Sequence, residues 1–233
     1  MQLRVATETD RGFVREINED SLIAEPPLLA VADGVGGHNA GEVASALAVG
    51  VLTQWIPTLV RDGGKKLQDA ASDAHRRIYT RAQQETALHG MATTLTAAWI
   101  DAGTCTIAHV RDGRITLEEA YEHPWRNMVV QALGGQPEVV VEMLSIDLSA
   151  GDRLVLASDG LTDQLRPEQV GEILQANEDA VIACRTLVER AKQAGGTDNI
   201  TVVLVDVTGD GEPEDVPPER KGRLRRLLPR RRR

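Results

Sequence analysis

Aromatic residues are scarce in this 233-residue chain: one phenylalanine, two tyrosines and three tryptophans. Its core must therefore be packed from Ala, Val, Leu and Ile. The scarcity also argues against single-stranded nucleic acid as a ligand, because such sites stack bases on aromatic rings. Cysteine is as rare. Cys105 and Cys184 both stand in apolar text, which predicts two small buried hydrophobes and excludes a disulfide framework or a Cys/His zinc motif. The opening MQLRVATETD lacks the basic-then-apolar pattern of a secretory signal. No apolar run reads as long as the ~20 residues of a membrane-spanning helix. These absences predict a cytoplasmic protein. Apolar residues make up 42% of the chain, enough for one domain with a sizeable core.

The net charge of −9 is unevenly placed. Residues 208–233 begin with an acidic, proline-bearing linker, GDGEPEDVPPE after Thr208, and end in RKGRLRRLLPRRRR. The body, 1–207, is correspondingly acidic and reads as the folded domain. An acidic body does not attract nucleic acid phosphates, but it suits a carboxylate-rich site that takes divalent cations. The tail is expected to be a solvated, disordered segment. A sharper alternative is a tether to an anionic membrane surface, nucleic acid or an acidic partner, which would place the protein peripherally at the membrane.

Along the body, short apolar runs predict strands over 2–6, 21–24, 28–32, 139–146, 153–157 and 200–207, with Pro26-Pro27 between the second and third. TTLTAAWI, Asp101-Ala102-Gly103 and TCTIAHV read as a hairpin. Asn39-x-x-Glu42 is a capping-box signature ahead of a helix that Pro57 should end or kink. A second helix is predicted over 67–89, with His75 and His89 as surface positions, and further helices over 116–124, 167–174 and 179–193.

One device occurs three times. LLAVADGVGGH carries Asp33 at the end of an apolar run followed by glycines; LVLASDG carries Asp159; GGTDNITVV places Asp198 just before the last strand. Each aspartate alone could simply cap a turn. Together, at the margins of packed strands, they can converge, and clustered carboxylates require a neutralising cation. An oxygen-only donor set without His or Cys suits Mg²⁺ or Mn²⁺ rather than zinc. Two such ions can activate a water and polarise a phosphoryl oxygen.

The segments VRxxNED (Val14, Arg15, Asn18, Glu19, Asp20), VADGVGGHNAGEVAS, MATT, LASDGLTD and GGTDNIT, in that order, resemble the metal-dependent serine/threonine protein phosphatases of type 2C in their compact bacterial form. The resemblance covers 1 to about 207. It implies an α+β fold of two stacked antiparallel β-sheets flanked by helix pairs, with two Mn²⁺ or Mg²⁺ ions at one edge of the sandwich and a weak third. It implies that Asp33 bridges the two ions and that Asp159 and Asp198 complete the first. The Gly34 carbonyl and Glu19 serve the second. Arg15 grips the substrate phosphate. The implied reaction is attack of metal-activated water on a phosphoserine or phosphothreonine in a protein, opposing a bacterial Ser/Thr kinase, by a monomeric enzyme. Asp20 adjoins the cluster as a ligand or as a support for ligands. Asp163 matches a position that helps hold an additional metal. His38, beyond the glycines, is a less favoured proton donor to the leaving alcohol.

The chain departs from the family after Val110. Where the family continues with Gly-Asp-Ser-Arg and a strand hairpin, this chain reads Arg111-Asp112-Gly113-Arg114 and passes straight into ITLEEAYEHPWRN. Roughly 25–30 residues, several strands' worth at ~5–6 residues each, are absent. Asp112 is either the third-metal aspartate with altered neighbours or an ordinary loop residue; the continuity of VRDGRIT favours the second. The loss of two central strands is expected to weaken the sheet. It keeps open a catalytically weakened or inactive, phosphatase-like metal-binding interaction module as the alternative function. A metal-dependent nuclease is a third reading, disfavoured by the acidic body and the few aromatics.

Overall fold

The computed structural model describes residues 1–35, 40–110 and 132–209. Within them two antiparallel sheets stack face to face. The smaller sheet has the order β1-β9-β8, from β1 (Gln2–Asp10), β8 (Arg153–Ala157) and β9 (Ile200–Thr208). The larger runs β2-β3-β5-β6-β7, from β2 (Asp20–Glu25), β3 (Leu28–Val35), β5 (Leu95–Asp101), β6 (Thr104–Val110) and β7 (Glu142–Asp147); the short β4 (Ala92–Thr93) also pairs with β3. Helices α1 (Gly41–Asp62) and α2 (Leu67–Gln84) cover the larger sheet. Helices α4 (Pro167–Ala176) and α5 (Ala180–Ala194) cover the smaller, and a single turn, α3 (Asp159–Thr162), follows β8. This is the expected α-β-β-α layering.

Alternation along the strands builds three cores. In β3, Leu29 and Val31 face the other sheet, where they meet Leu156, Val203 and Val205. Leu28, Ala30 and Ala32 face α1 and α2. On the far side, Ala183, Cys184, Leu187 and Val188 of α5 pack on Ala6, Val202 and Leu204. Cys105 and Cys184 are buried free thiols, and burial pushes both up to about 11.

Several expectations need correction. Pro57 does not end α1, which runs on to Gly63, where φ is 65° and the N–H bonds back to Leu59. Buried Val51, Leu52 and Leu59 bracket the proline, and at about 1.5–3 kcal/mol per buried aliphatic side chain they outweigh its ~3 kcal/mol penalty. The helix starts at Ala40, with no side-chain cap, rather than through the capping box; Asn39 lies outside the described residues. This helix also reaches the length and hydropathy of a membrane span, contrary to the reading of the apolar runs, yet its buried face is packed on β3 and α2. The second helix ends at Gln84, followed by a 3₁₀ turn, Thr86–Leu88.

His75 is not a surface residue. It is 7% exposed, its Nδ1 accepts the Gly134 N–H at 3.1 Å, and its Nε2 lies 3.3 Å from the Pro137 carbonyl. It fastens the chain returning toward β7 onto α2. Nor is the sheet left open after Val110. β6 pairs directly with β7, from Thr104↔Asp147 to His109↔Glu142, and among the described residues β7 is the edge strand. The predicted helix over 116–124 and Asp112 lie outside the described residues, as does the tail from 210 onward.

Candidate active site

Five strand ends meet at one edge of the sandwich: the ends of β1, β3 and β8 and the starts of β2 and β9. The loops that leave them carry Arg15, Glu19, Asp159 and Asp198, and the strands themselves carry Asp20 and Asp33. Asp33 has the parity of Leu29 and Val31, so it faces the smaller sheet. Asp20 lies directly opposite Asp33 in the β2–β3 ladder and therefore shares that face. Both carboxylates are thus aimed at the point where β8 and β9 deliver Asp159 and Asp198.

The backbone around Asp33 is strapped on both sides. Its N–H donates to Thr94 Oγ1 at 3.1 Å, and its carbonyl accepts from Thr93 Oγ1 at 2.9 Å and from the Thr94 N–H at 2.8 Å. Gly34 donates its N–H to the Glu19 carbonyl, 3.2 Å away. A methyl group on Gly34 would sit 2.3 Å from the Gly41 carbonyl oxygen, so only glycine lets α1 start this close to β3. Asn199 organises the opposite wall. Its Oδ1 accepts the Glu19 N–H at 2.8 Å, and its Nδ2 donates to the Arg11 and Ile17 carbonyls at 3.0 and 2.9 Å. Ser158 donates to Asp20 Oδ2 at 2.8 Å while its oxygen accepts the Thr201 N–H at 2.9 Å.

The electrostatics are those of crowded acids. Asp33 is pushed up to about 9, first by burial and then by the charges of Asp159 and Asp20. Hydrogen bonding between the two carboxyl groups raises Asp33 and lowers Asp159. Asp20 is pushed up to about 6, mainly by burial against the hydrogen bonds of Thr201 and Ser158. Asp159 is raised by its packed surroundings and by Asp163 and Asp198, even though solvent reaches it at the mouth of the site. Glu19 is raised by burial and by Glu42. The positive counterweight is Arg15, half-exposed at the rim, whose Nη2 donates to Asp198 Oδ2 at 2.7 Å.

The structure thus brings together Asp20, Asp33, Asp159, Asp198 and Arg15, with Glu19 beside them and Asp163 one helical turn beyond Asp159. His38 and Asp112 lie outside the described residues. Sequence reasoning assigned no part to Ser158, Asn199, Thr93 or Thr94. Thr93, Ser158 and Asn199 are polar side chains held at zero to 4% exposure beside these aspartates, and Thr94 is partly buried. Glu42, read as a cap, instead faces Glu19 with one buried oxygen that has no hydrogen-bond partner.

The donor set fits a hard divalent cation. All donors are oxygens, and Asp20 Oδ1 is buried without a partner, as is Glu42 Oε2. Among the described residues no three acidic, histidine or cysteine side chains stand close enough together to hold a metal ion, so the fit rests on the oxygen chemistry of the donors and the two orphaned carboxylate oxygens. A second cleft, about 610 Å³, lies at the opposite pole between Leu3, Ile100, Leu148 and Thr208, away from the acid cluster.

Comparison with known proteins agrees with this geometry. Residues 16–200 match the family model described as protein phosphatase 2C. The chain is 39% identical to the serine/threonine protein phosphatase PstP of Mycobacterium tuberculosis, over 88% of its own length and 45% of the relative's. It therefore spans about half of that relative. Its similarity to the serine/threonine phosphatase Stp of Listeria innocua is 32%, over 85% of this chain and 93% of the other. The 235 aligned positions exceed the 85% of this chain that takes part, so the relative carries positions that this chain lacks. In three dimensions it matches a crystal structure of the PstP catalytic domain in complex with two manganese ions, at a TM-score of 0.76 and 36% identity, covering 89% of this chain and 99% of that one.

Proposed function

Because this chain belongs to the protein phosphatase 2C family, we propose that its acidic edge site hydrolyses phosphoserine and phosphothreonine in proteins, in opposition to a Ser/Thr kinase. The observation that carries the reading is the convergence of Asp20, Asp33, Asp159 and Asp198 beside Arg15. Asp33, Asp159 and Asp198 would hold one divalent ion; Asp33, the Gly34 carbonyl and Glu19 would hold a second; Asp163 would assist a weaker third. When bound, Mn²⁺ or Mg²⁺ supplies a nucleophilic water at neutral pH and polarises the phosphoryl group.

The chain's own groups do the positioning. Arg15 offers a planar fork of N–H donors, of which Asp198 engages one nitrogen, Nη2, so other donors remain for phosphate oxygens. Thr93 and Thr94 fix the Asp33 backbone, and Ser158 holds Asp20 toward the cluster. Asn199 ties the Arg15 loop to the start of β9, so the phosphate grip and Asp198 move as one unit. Neither buried cysteine is offered as a nucleophile, and water is taken as the attacking group.

The test is turnover of p-nitrophenyl phosphate with Mn²⁺ against EDTA, for the wild type and Asp159→Asn. Manganese-dependent release of nitrophenol that Asp159→Asn lowers by about 10²-fold or more supports the reading. A cooperatively melting protein with no turnover would favour the interaction-module alternative.

A further inference from the structure

The chain has a single phenylalanine, and the fold does not bury it. Phe13 and Val14 are each 67% exposed and Ile17 is 44% exposed, all on the loop that carries Arg15. In a protein whose core is built from aliphatic residues, three apolar side chains facing solvent beside the site form a patch that asks for a ligand.

The loop is not loose. Phe13 N–H donates to the Gly196 carbonyl at 2.8 Å, Gly12 N–H to Asp10 Oδ1 at 2.8 Å, and Asn199 holds Arg11 and Ile17 from below. Gly12 sits at φ 75°, and a side chain there would also strike the Asp198 carbonyl oxygen, so the position takes glycine. Lys192 stands 5.4 Å from the centre of the Phe13 ring while its ammonium bonds Asp10 at 2.9 Å, which fixes one face of the ring. The patch is presented in a set conformation, continuous with the half-exposed guanidinium of Arg15.

We propose that Phe13, Val14 and Ile17 are the docking surface for bulky apolar side chains flanking the phosphorylated residue of a protein substrate; this rests on the phosphatase reading. Consecutive Cα atoms lie about 3.8 Å apart, and an extended peptide advances about 3.3 Å per residue. Phe13 and Val14 directly precede Arg15 and Ile17 follows it by two, so a residue one or two places from a phosphate held by Arg15 is within reach of these side chains. The surface favours Leu, Ile, Val or Phe there over Ser, Asn or Asp.

Two phosphothreonine peptides that differ only in Leu or Ser at the flanking positions test this, with p-nitrophenyl phosphate as a substrate that has no flanks. The wild type should favour the Leu peptide about tenfold in kcat/KM. Phe13→Ser should abolish that preference, with a loss on the Leu peptide at least fivefold greater than on p-nitrophenyl phosphate, and Phe13→Leu should retain most of it. Equal rates on the two peptides, or equal losses on all three substrates, would overturn the assignment. So would a concentration-dependent dimer that Phe13→Ser dissolves, since the patch would then serve self-association. A wild type inert toward p-nitrophenyl phosphate refutes the hydrolase reading instead. Fluorescence anisotropy of the labelled peptides then decides the docking surface: binding of the Leu peptide weakened about tenfold by Phe13→Ser upholds it, and equal binding of both peptides overturns it.

Discussion

Replacing Asp33 with asparagine should make the metal-free protein more stable, not less, and only above mildly acidic pH. Asp33 is pushed up to about 9 in the fold, whereas an aspartate in the unfolded chain titrates near 3.8. For an acid whose folded value is raised, the folded state binds the extra proton. Stability is then fullest below about pH 4 and is lost as pH rises toward 9. At pH 7 the penalty approaches three pH units at 1.36 kcal/mol each, at most about 4 kcal/mol. Asp20, pushed up to about 6, adds loss in the same direction between its unfolded value and pH 6. The neutral amide of Asp33→Asn removes the larger share. The assay is urea unfolding in EDTA at pH 5, 6, 7 and 8, followed by far-UV circular dichroism. The wild type should lose stability steadily across this range, while the variant, which keeps Asp20, should fall only up to about pH 6, flatten beyond it and cross above the wild type. Added Mn²⁺ should restore the wild type at pH 7 and do little for the variant, since stabilisation by a ligand follows its affinity for the folded state. A wild type whose metal-free stability rises from pH 5 to 8, or a variant that tracks it in parallel, would refute the electrostatic reasoning.

Other substitutions separate positioning from stability. Asn199→Ala removes the acceptor of the Glu19 N–H and the donor to two carbonyls, and should cost about 2–4 kcal/mol in urea unfolding, with turnover falling as the Arg15 loop loosens. Gly34→Ala places a methyl 2.3 Å from the Gly41 oxygen; the forced shift should cost about 1–3 kcal/mol and, by moving Asp33, about 10²-fold in kcat. His75→Leu should lower stability by about 1–3 kcal/mol through the unpaired Gly134 N–H, with kcat of the folded fraction unchanged. Arg15→Lys keeps the charge but loses the fork, and should lower kcat/KM on a phosphothreonine peptide about tenfold.

Much of this molecule is legible in its sequence because strand ends and aspartates coincide. Leu29, Val31 and Asp33 share a face by parity alone, and Gly34 marks where α1 comes close. What could not be read was the partner of each carboxylate. Asp20 opposite Asp33 follows from the hairpin register, Asp20↔Asp33 through Glu25↔Leu28, with Pro26-Pro27 at the turn. Ser158 and Asn199 resemble turn residues until the two sheets are stacked, because their partners lie 138 and 180 residues away. His75 was misjudged for the same reason: its helix is amphipathic, but the chain around Gly134 and Pro137 folds over what would otherwise be an open face. The shortened text after Val110 predicts a weakened sheet, and β7 pairs along β6 from Thr104↔Asp147 to His109↔Glu142.

The most direct measurement is a manganese titration of the metal-free protein, with calorimetric binding and hydrolysis of one phosphothreonine peptide followed on the same samples. Two Mn²⁺ equivalents per chain, with turnover absent in EDTA and rising as the sites fill, is the predicted result. Peptide hydrolysis that ignores the metal, or two bound ions with no phosphate released, would contradict a phosphatase site at this edge of the sandwich.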